Sequence, residues 1–301
     1  MQGRIIKGIA GFYYVETADG KLYECRAKGI FRNQGVKPLV GDYVDIDIVS
    51  SEKLTGNVIN IYDRKNELLR PPVANVDQAL ILFAIVHPNP SYNLLDRFLI
   101  MMKQQNLPVI ICFNKQDIAD SGEIQELQNT YSGCGYDVHF ISVREEKGID
   151  EVKDILRGKT TVLAGPSGVG KSSLINLLHP KANMETGELS KKIERGKNTT
   201  RHSELFRVEN LSSDTYLMDT PGFTSLYMKN VDKTTLSLYY SEFEDFANEC
   251  RFSGCAHISE PNCMVKEAVK NGEIPKIRYE NYKVLYEELK DAAPIYKKKR
   301  R

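Results

Sequence analysis

The sequence predicts a multidomain protein with an N-terminal OB-like β-barrel (residues 1–69), a central α/β domain (residues 70–228) and a C-terminal helical domain (residues 229–301). Short segments of alternating polarity between glycine turns predict the barrel. Buried strands that alternate with amphipathic helices predict the α/β domain, and a cysteine cluster among helical patterns marks the third. A chain of 301 residues has room for about two domains of ~150 residues and one small module.

Five short strands without a convincing helix form the predicted barrel. They lie at residues 4–9, 12–15, 21–26, 43–49 and 57–61. This pattern is typical of a small closed barrel of the OB or SH3-like kind. Aromatic and basic side chains there suit base stacking and phosphate contact, namely Phe12, Tyr13, Tyr14, Tyr23, Arg26, Lys28 and Arg32. The composition leaves open whether the aromatic residues bind RNA or fill the barrel.

Strands of a mostly parallel sheet follow the barrel. The apolar runs lie at residues 79–86, 108–113, 138–142, 160–164 and 215–218. A helical pattern between two of them consists of Leu94, Leu95, Phe98, Leu99 and Met102. Alternation of this kind predicts a parallel sheet with helices on both faces. Before it, Arg70-Pro71-Pro72 predicts an extended linker that ends the barrel region.

Helical patterns replace the strands from about Val231 onward. One predicted helical face carries Leu236, Tyr239, Tyr240, Phe243 and Phe246. A later helix carries Tyr282, Leu285, Tyr286 and Leu289. The cysteine cluster lies between these two helices, so this domain combines helices with a long loop.

Composition excludes several classes of protein. The 41 Lys and Arg residues nearly balance the 40 Asp and Glu residues, so the molecule as a whole is not a basic nucleic-acid-binding protein. The longest apolar run has eight residues, 79–86, whereas a membrane helix needs ~20. Residues 1–12 contain no signal-peptide core, so we expect a soluble cytoplasmic protein without membrane contact. The basic end, 297–301, either steers binding to an anionic partner or is a solvated terminus.

A phosphate-binding loop follows the strand at 160–164. Its residues are Gly165-Pro166-Ser167-Gly168-Val169-Gly170-Lys171-Ser172, which match G-x-x-x-x-G-K-[ST], and a helical pattern opens at Ser173. The glycines let successive N–H groups point at phosphate oxygens, and the helix N-terminus adds partial positive charge. We expect Lys171 to reach the β- and γ-phosphates and the Ser172 hydroxyl to bind Mg²⁺.

Guanine selection is predicted by Asn114-Lys115-Gln116-Asp117, which follows the strand at 108–113. The Asp117 carboxylate can accept from N1–H and the 2-amino group of guanine, and adenine has neither donor in that position. Asn114 can bridge to the phosphate-binding loop, and the stem of Lys115 can cover the ring. The loop 141–143, with Ser142 at its centre, is predicted to lie under the base although its match is poor.

Magnesium and the γ-phosphate define a third group of residues. Asp219-Thr220-Pro221-Gly222 matches D-x-x-G, where Asp219 would hold Mg²⁺ through water and the Gly222 N–H would sense the γ-phosphate. The polar segment 195–202, which we call the switch segment, is expected to complete the Mg²⁺ shell when GTP is bound, and we favour Thr200.

Water positioning is the incomplete part of the predicted site. Ras-like proteins place a glutamine after D-x-x-G, but this chain has Phe223. We therefore predict slow intrinsic hydrolysis and strong activation by a bound partner. His202 is a candidate for positioning the water or for contacting RNA, and it is equally well a plain surface histidine.

The order of the motifs is exchanged relative to ordinary small GTPases. Asn114 precedes Gly165, and Asp219 follows it, so the base-binding half comes first. The same sheet forms if the old termini are joined through residues 142–160, because the termini of such domains lie close together. After Gly222 the chain runs into the C-terminal domain, and we hypothesise that switch movement reorients that domain.

A zinc site is predicted by Cys250-x4-Cys255-x-His257-x5-Cys263. Three thiolates and one imidazole without a carboxylate are typical of one closed, structural, tetrahedral Zn²⁺. The alternatives are a chance cluster or a redox switch. The remaining cysteines, Cys25, Cys112 and Cys134, have the character of small apolar residues.

Together these motifs resemble the RsgA (YjeQ/YloQ) family of circularly permuted bacterial GTPases, over almost the whole chain. The resemblance also rests on residues 70–78 (RPPVANVDQ), 94–99 (LLDRFL) and 195–202. The resemblance implies an OB-fold, a permuted GTPase domain that takes GTP or GDP with Mg²⁺, and a zinc domain. It also implies a monomer that binds the 30S subunit with its 16S rRNA and acts in late assembly, hydrolysing GTP on stimulation. Asn198 departs from the histidine of many similar members.

Other functional classes stay open from the sequence. A permuted GTPase could act on another RNA or on the large ribosomal subunit, although the barrel and zinc module argue against this. A binding protein with a merely regulatory nucleotide site is disfavoured, because Lys171, Ser172 and Asp219 are intact.

Overall fold

The N-terminal domain is a closed five-stranded barrel in the computed structural model, which describes residues 1–29, 31, 35–69, 72–182, 184, 204–211, 214–219 and 231–291. Its strands are β1 (Gln2–Ile9), β2 (Phe12–Thr17), β3 (Leu22–Ala27), β4 (Tyr43–Ser50) and β5 (Thr55–Ile61). They close in the order β1-β2-β3-β5-β4, with β3 and β5 parallel and the other pairs antiparallel. The five predicted strands are confirmed, with bounds shifted by one or two residues.

The barrel interior settles part of the question about its aromatic residues. Tyr23 is 3% exposed and packs with Ile5, Val15 and Val44 in the core, so of the two alternatives it fills the barrel. Alternation along β3 places Tyr23 and Cys25 on the inner face. The side chains of Phe12, Tyr13 and Tyr14 are half-buried and accessible.

A two-stranded sheet joins the barrel to the next domain. β6 (Glu67–Leu69) pairs antiparallel with β7 (Pro72–Ala74), so Pro72, the last residue of the predicted linker, lies in a paired strand. Pro72 is tolerated because it is the first residue of a strand and lacks only one donor there. Arg70 and Pro71 lie outside the described residues. The Ala74 N–H donates to the Val40 carbonyl at 2.9 Å, which packs the hairpin on the barrel.

The central domain is built on a six-stranded sheet. Its strands are β8 (Gln78–Ala84), β9 (Val109–Asn114), β10 (Asp137–Phe140), β11 (Thr160–Ala164), β12 (Leu205–Arg207) and β13 (Tyr216–Asp219). They lie in the order β10-β9-β8-β11-β13-β12, all parallel except the antiparallel edge strand β12. The parallel sheet is confirmed, whereas β12 was not predicted, because three residues carry too short a pattern.

Four helices cover the sheet: α1 (Tyr92–Gln104), α2 (Ser121–Ser132), α3 (Ile149–Leu156) and α4 (Lys171–Leu178). Successive residues of β8 belong to two separate cores, with Ile81 and Phe83 in one and Leu80 and Leu82 in the other. Every residue of β8 is buried, as expected for a strand covered on both faces. Within the described part of the chain, no helix is both long and apolar enough to cross a bilayer.

The C-terminal domain contains α5 (Glu244–Ala247), α6 (Met264–Asn271) and α7 (Lys276–Asp291). The helix predicted around residues 236–246 is wrong: two 3₁₀ turns, Leu236–Tyr239 and Ser241–Phe243, precede the short α5. Tyr240 has extended backbone, φ −101° and ψ 95°, and this breaks the helix. Its ring packs 5.1 Å from that of Phe243 and 5.2 Å from that of Tyr282, so aromatic packing outweighs helix propensity.

A buried ionic cluster, which we call the α1–α7 clamp, joins the central and C-terminal domains. Arg278 of α7 is 1% exposed and donates to Asp96 of α1 and to Glu242, the latter at 2.7 Å. Asn281 donates to the second Asp96 oxygen at 2.7 Å. At the surface, Arg97 pairs with Glu288. Asp96 and Arg97 of α1 thus bind the C-terminal domain, and Lys103 of the same helix pairs with Glu244 at 3.1 Å.

Candidate nucleotide and metal sites

The predicted nucleotide-binding residues lie at one edge of the central sheet. β9 ends at Asn114, β11 runs into Gly165, and β13 ends at Asp219. Because β11 pairs in parallel with β8 and β13, and β8 with β9, the carboxyl ends of all four strands are adjacent. Ligands of open α/β sheets bind at this edge. Motifs that are far apart in the sequence are thus brought together.

The loop from Gly165 to Gly170 has a backbone that only glycine fits at its two ends. Gly165 has φ +151°, and a Cβ there would lie 2.0 Å from the Leu82 carbonyl oxygen. Gly170 has φ +104°, and a Cβ there would lie 2.3 Å from Asn114 Nδ2. Gly170 is also the N-cap of α4, so the loop ends at a helix N-terminus. Such a terminus presents N–H groups and positive potential to an anion.

Asn114 connects the phosphate-binding loop to the loop after β10. Its side-chain amide donates to the Val169 carbonyl at 2.9 Å, and its side-chain oxygen accepts from the Val143 N–H at 3.0 Å. The side chain is 4% exposed, so these contacts are shielded from water. One amide therefore sets the spacing between the phosphate side and the base side.

The predicted base side consists of the turn after β9 and the loop after β10. The Gln116 N–H donates to the Ile141 carbonyl at 3.1 Å, which holds the turn carrying Asp117 against that loop. Ser142 is fully buried, and its hydroxyl accepts from the Glu145 N–H at 3.0 Å. Asp117 is half-buried at the same edge. Ser142 shapes the loop, so its backbone is what this arrangement offers to a base.

Lys115 and Lys171 are two cations of the predicted site among the described residues. The Lys171 ammonium donates to the Pro166 carbonyl at 2.7 Å, which folds it over the loop. Burial lowers the pKa of Lys171, and the nearby Asp219 carboxylate opposes this shift. Burial likewise lowers the pKa of Lys115, and its ammonium donates to the His87 carbonyl. Both ammonium groups are thus held by backbone oxygens at the sheet edge.

Three of the expected catalytic residues cannot be placed. Thr200, His202 and Gly222 lie outside the described residues, and so does Phe223. The same holds for Arg32 of the barrel and for the basic end at 297–301. Pro166, Ser167, Gly168, Ser172 and Ser173 all lie in the loop or the first turn of α4.

Sequence patterns did not identify the backbone groups that complete the site. The carbonyls of Val169 and His87 and the Val143 N–H hold Asn114 and Lys115 in place. Backbone groups carry no residue-type signal, and His87 is distant in sequence from Lys115. Only the parallel register of β8 and β9 brings them together.

Replacing Gly170 with alanine is expected to weaken GTP binding about tenfold, because the new Cβ displaces the Asn114 amide from Val169. Titration calorimetry with GTP measures the effect. Gly135→Ala is the matched control: it also has positive φ, +79°, but nothing lies within 4 Å of its Cβ. Equal GTP affinity of both variants would contradict the assigned role of this contact.

The predicted zinc ligands converge in the C-terminal domain. Ligand atoms of Cys250, Cys255, His257 and Cys263 all lie within 4.8 Å of one another. The Cys250 and Cys263 sulfurs are 3.8 Å apart, and His257 Nδ1 lies 3.7 and 3.4 Å from them. Tetrahedral zinc with bonds of about 2.3 Å to sulfur requires separations of about 3.8 Å between sulfurs. The donor set therefore fits a metal ion of this kind.

Helix α7 supports the cluster from outside. The Tyr279 hydroxyl donates to the His257 carbonyl at 2.7 Å, and the Tyr282 hydroxyl donates to the Ala256 carbonyl at 2.6 Å. The Glu260 carboxylate accepts from the N–H groups of Ala256 and Ile258, which tightens the ligand loop. These four hydrogen bonds fix the backbone of the ligand loop, so the loop presents its metal ligands in one arrangement.

Comparisons with known proteins agree with this architecture. The RsgA GTPase family matches residues 61–229, and the RsgA N-terminal domain family matches residues 2–55. A relative from Agathobacter rectalis, named small ribosomal subunit biogenesis GTPase RsgA, is 55% identical over 301 residues, covering 97% of this chain and 99% of the relative.

Two solved structures share the fold over nearly their whole length. The crystal structure of YjeQ from Thermotoga maritima matches with a TM-score of 0.81 at 35% identity, covering 97% of this chain and 99% of that one. The crystal structure of YloQ, described as a circularly permuted GTPase, matches with a TM-score of 0.77 at 37% identity, covering 98% and 96%. This chain therefore belongs to the RsgA family and is a circularly permuted, GTP-hydrolysing enzyme.

Proposed function

We propose that this GTPase binds the small ribosomal subunit through its 16S rRNA and hydrolyses GTP during late maturation of that subunit. The observation that carries the proposal is the convergence of the guanine-nucleotide motifs on one sheet edge, between a barrel and a cysteine–histidine module. The Agathobacter relative, which has the printed name of a small-subunit biogenesis GTPase, matches this arrangement along its whole length.

In this proposal the base side selects guanine. The Asp117 carboxylate accepts from two guanine donors, the Lys115 stem covers the ring, and the loop at Ser142 lies under it. Asn114 holds that loop and the phosphate-binding loop at a fixed spacing, as its two hydrogen bonds support. Adenine in the same position would leave the carboxylate without donors, which is costly.

The phosphate side stabilises negative charge. Backbone N–H groups from Gly165 to Ser173 surround the phosphates, and Lys171 moves from the Pro166 carbonyl to the β- and γ-phosphates. Magnesium, when bound with the nucleotide, would neutralise charge on the phosphate oxygens, held by Ser172, Thr200 and, through water, Asp219.

Hydrolysis then depends on groups that respond to a partner. We assign the γ-phosphate contact to the Gly222 N–H and place Thr200 beside it. Since Phe223 cannot hydrogen-bond to water, His202 is our candidate for positioning the attacking water. Binding of the ribosomal subunit would bring these groups into position for catalysis, and we therefore expect slow turnover by the free enzyme.

The barrel and the metal module provide the partner-binding surfaces. Arg26 lies over the ring of Phe12, with 4.6 Å between guanidinium carbon and ring centroid, and both belong to adjacent barrel strands. An accessible aromatic ring beside guanidinium suits base stacking and phosphate contact. We assign one structural Zn²⁺ to the ligand cluster that holds the C-terminal domain.

Replacing Cys255 with serine is expected to remove the metal and to unfold the C-terminal domain, because a structural zinc supplies folding energy directly. Zinc content, measured by mass spectrometry, should fall from one ion per chain to none, with a loss of helical circular dichroism. Cys25→Ala, in the barrel core, is the control and should keep one zinc. A Cys255→Ser protein that keeps its zinc would contradict the ligand assignment.

Co-sedimentation tests the partner. The purified protein is mixed with 30S or with 50S subunits, in the presence of GDP or of a non-hydrolysable GTP analogue. We expect it to sediment with 30S in the analogue state and to be released with GDP. Sedimentation with 50S alone would favour the large subunit instead, and binding to neither would overturn the proposal.

A further inference from the structure

The barrel contacts the central sheet at its edge strand β12, which follows the switch segment 195–202 in the sequence. Glu204, at the start of this edge, forms an antiparallel backbone bridge with Lys7 of β1. Their side chains also form an ion pair, with 2.8 Å between Lys7 Nζ and Glu204 Oε2, and each side chain is 31% exposed. The pairing of β1 with β2 shifts register between Ile5 and Lys7, and such a bulge re-aims side chains.

A second contact joins the barrel to both strands at this edge. Glu16 of β2 accepts a hydrogen bond from the Tyr216 hydroxyl of β13 at 2.6 Å. The same carboxylate lies 3.4 Å from Arg207 of β12. Since β13 ends at Asp219 of the D-x-x-G motif, the barrel contacts the strand after the switch segment and the strand before D-x-x-G.

The C-terminal domain is attached at a different place on the central domain. Its attachment to α1 is the buried α1–α7 clamp, in which Arg278 and Asp96 are almost fully excluded from water. Breaking a buried ion pair of this kind leaves an uncompensated charge, so the clamp resists rearrangement. Helix α1 follows β8, which lies in the half of the sheet that carries the predicted base-binding residues. In the sequence, α1 adjoins neither the switch segment nor the D-x-x-G motif.

We propose that the nucleotide state is transmitted to the barrel, through Lys7–Glu204 and the Glu16 contacts on β12 and β13, while the C-terminal domain stays fixed on the central domain. This deepens the proposed function, because it makes the RNA-binding barrel the element that reports whether GTP is bound. It also replaces the hypothesis, drawn from the chain order, that the switches reorient the C-terminal domain.

Exchanging the charges of the Lys7–Glu204 pair tests whether the nucleotide state reaches the barrel through this pair, with GTP turnover as the measurement. Lys7→Glu and Glu204→Lys each place like charges together, and each is expected to lower 30S-stimulated GTP turnover about threefold to fivefold. Turnover without subunits should not change. The double variant restores opposite charges and should recover stimulation. Lys153→Glu, which disrupts an ion pair with Asp150 within α3, is the matched control and should behave as wild type.

Single-molecule fluorescence resonance energy transfer tests the same coupling between nucleotide state and barrel without ribosomal subunits. Dyes are attached through unnatural amino acids at Lys53 of the barrel, Gln125 of α2 and Lys290 of α7. The Lys53–Gln125 distance should differ between GDP and a GTP analogue, whereas the Gln125–Lys290 distance should not.

Two results would overturn the inference. One is a Lys53–Gln125 distance that is the same in both nucleotide states. The other is a charge-exchange double variant that stays as impaired as the single ones. If wild-type turnover is not stimulated by 30S at all, the proposed function fails, and the distance measurement still decides the coupling on its own.

Discussion

Replacing Asp117 with asparagine is expected to weaken GTP binding about a thousandfold. The carboxylate accepts two hydrogen bonds from guanine, whereas the amide nitrogen of asparagine is itself a donor and faces one of the two guanine donors. The same variant should gain affinity for xanthosine triphosphate, whose 2-oxo group accepts from the new amide. Titration calorimetry with both nucleotides measures the exchange.

The control for this exchange is Asp154→Asn on the exposed face of α3, which should bind GTP as wild type does. Circular dichroism should show both variants folded, because Asp117 is half-buried and lies in a turn outside the strands. If the Asp117 variant retains wild-type GTP affinity, the guanine pocket does not lie where we place it.

Replacing Arg278 with methionine is expected to lower the free energy of unfolding by about 3–5 kcal/mol. Methionine fills a similar volume, but it leaves the carboxylates of Asp96 and Glu242 buried without their cation. Burial already raises the pKa of Asp96 to about 6, against the opposing effect of Arg278. Urea denaturation of the zinc- and GDP-loaded protein measures the loss.

Two companion variants separate charge from packing in the clamp. Lys283→Met, on the same helix, removes an exposed ion pair with Glu280 and a cation–π contact with the Tyr279 ring, and it should change stability by less than about 1 kcal/mol. Adding Asp96→Asn to Arg278→Met removes one unpaired charge and should recover part of the loss. If Arg278→Met is no less stable than Lys283→Met, the clamp does not hold the two domains.

Contiguous motifs explain why so much of the site could be predicted. The loop from Gly165 to Ser172 and the residues Asn114 and Asp117 each form short patterns at the end of a strand. In a parallel sheet, all such ends meet at one edge. The zinc ligands were equally visible, because the donor types and their spacing suffice to predict a tetrahedral site.

The rest of the structure could not be predicted because it depends on contacts between residues far apart in the sequence and on the packing of aromatic side chains. Asp96 and Arg278 are 182 positions apart, and neither residue type nor spacing indicates that they meet. The LLDRFL stretch at 94–99 was noted as a family feature, and its clamp role emerged only from the structure. The burial of Tyr23 and the extended backbone of Tyr240 have a related reason, since the surroundings of each residue in the core decide them.

Dependence of hydrolysis on the small subunit is tested by measuring GTP and ATP turnover by the purified protein alone, with 30S subunits and with 50S subunits. We predict slow hydrolysis of GTP by the protein alone, a large increase with 30S, and little turnover of ATP in any mixture. Equal rates with and without 30S, or stimulation by 50S instead, would contradict a GTPase activated by the small subunit.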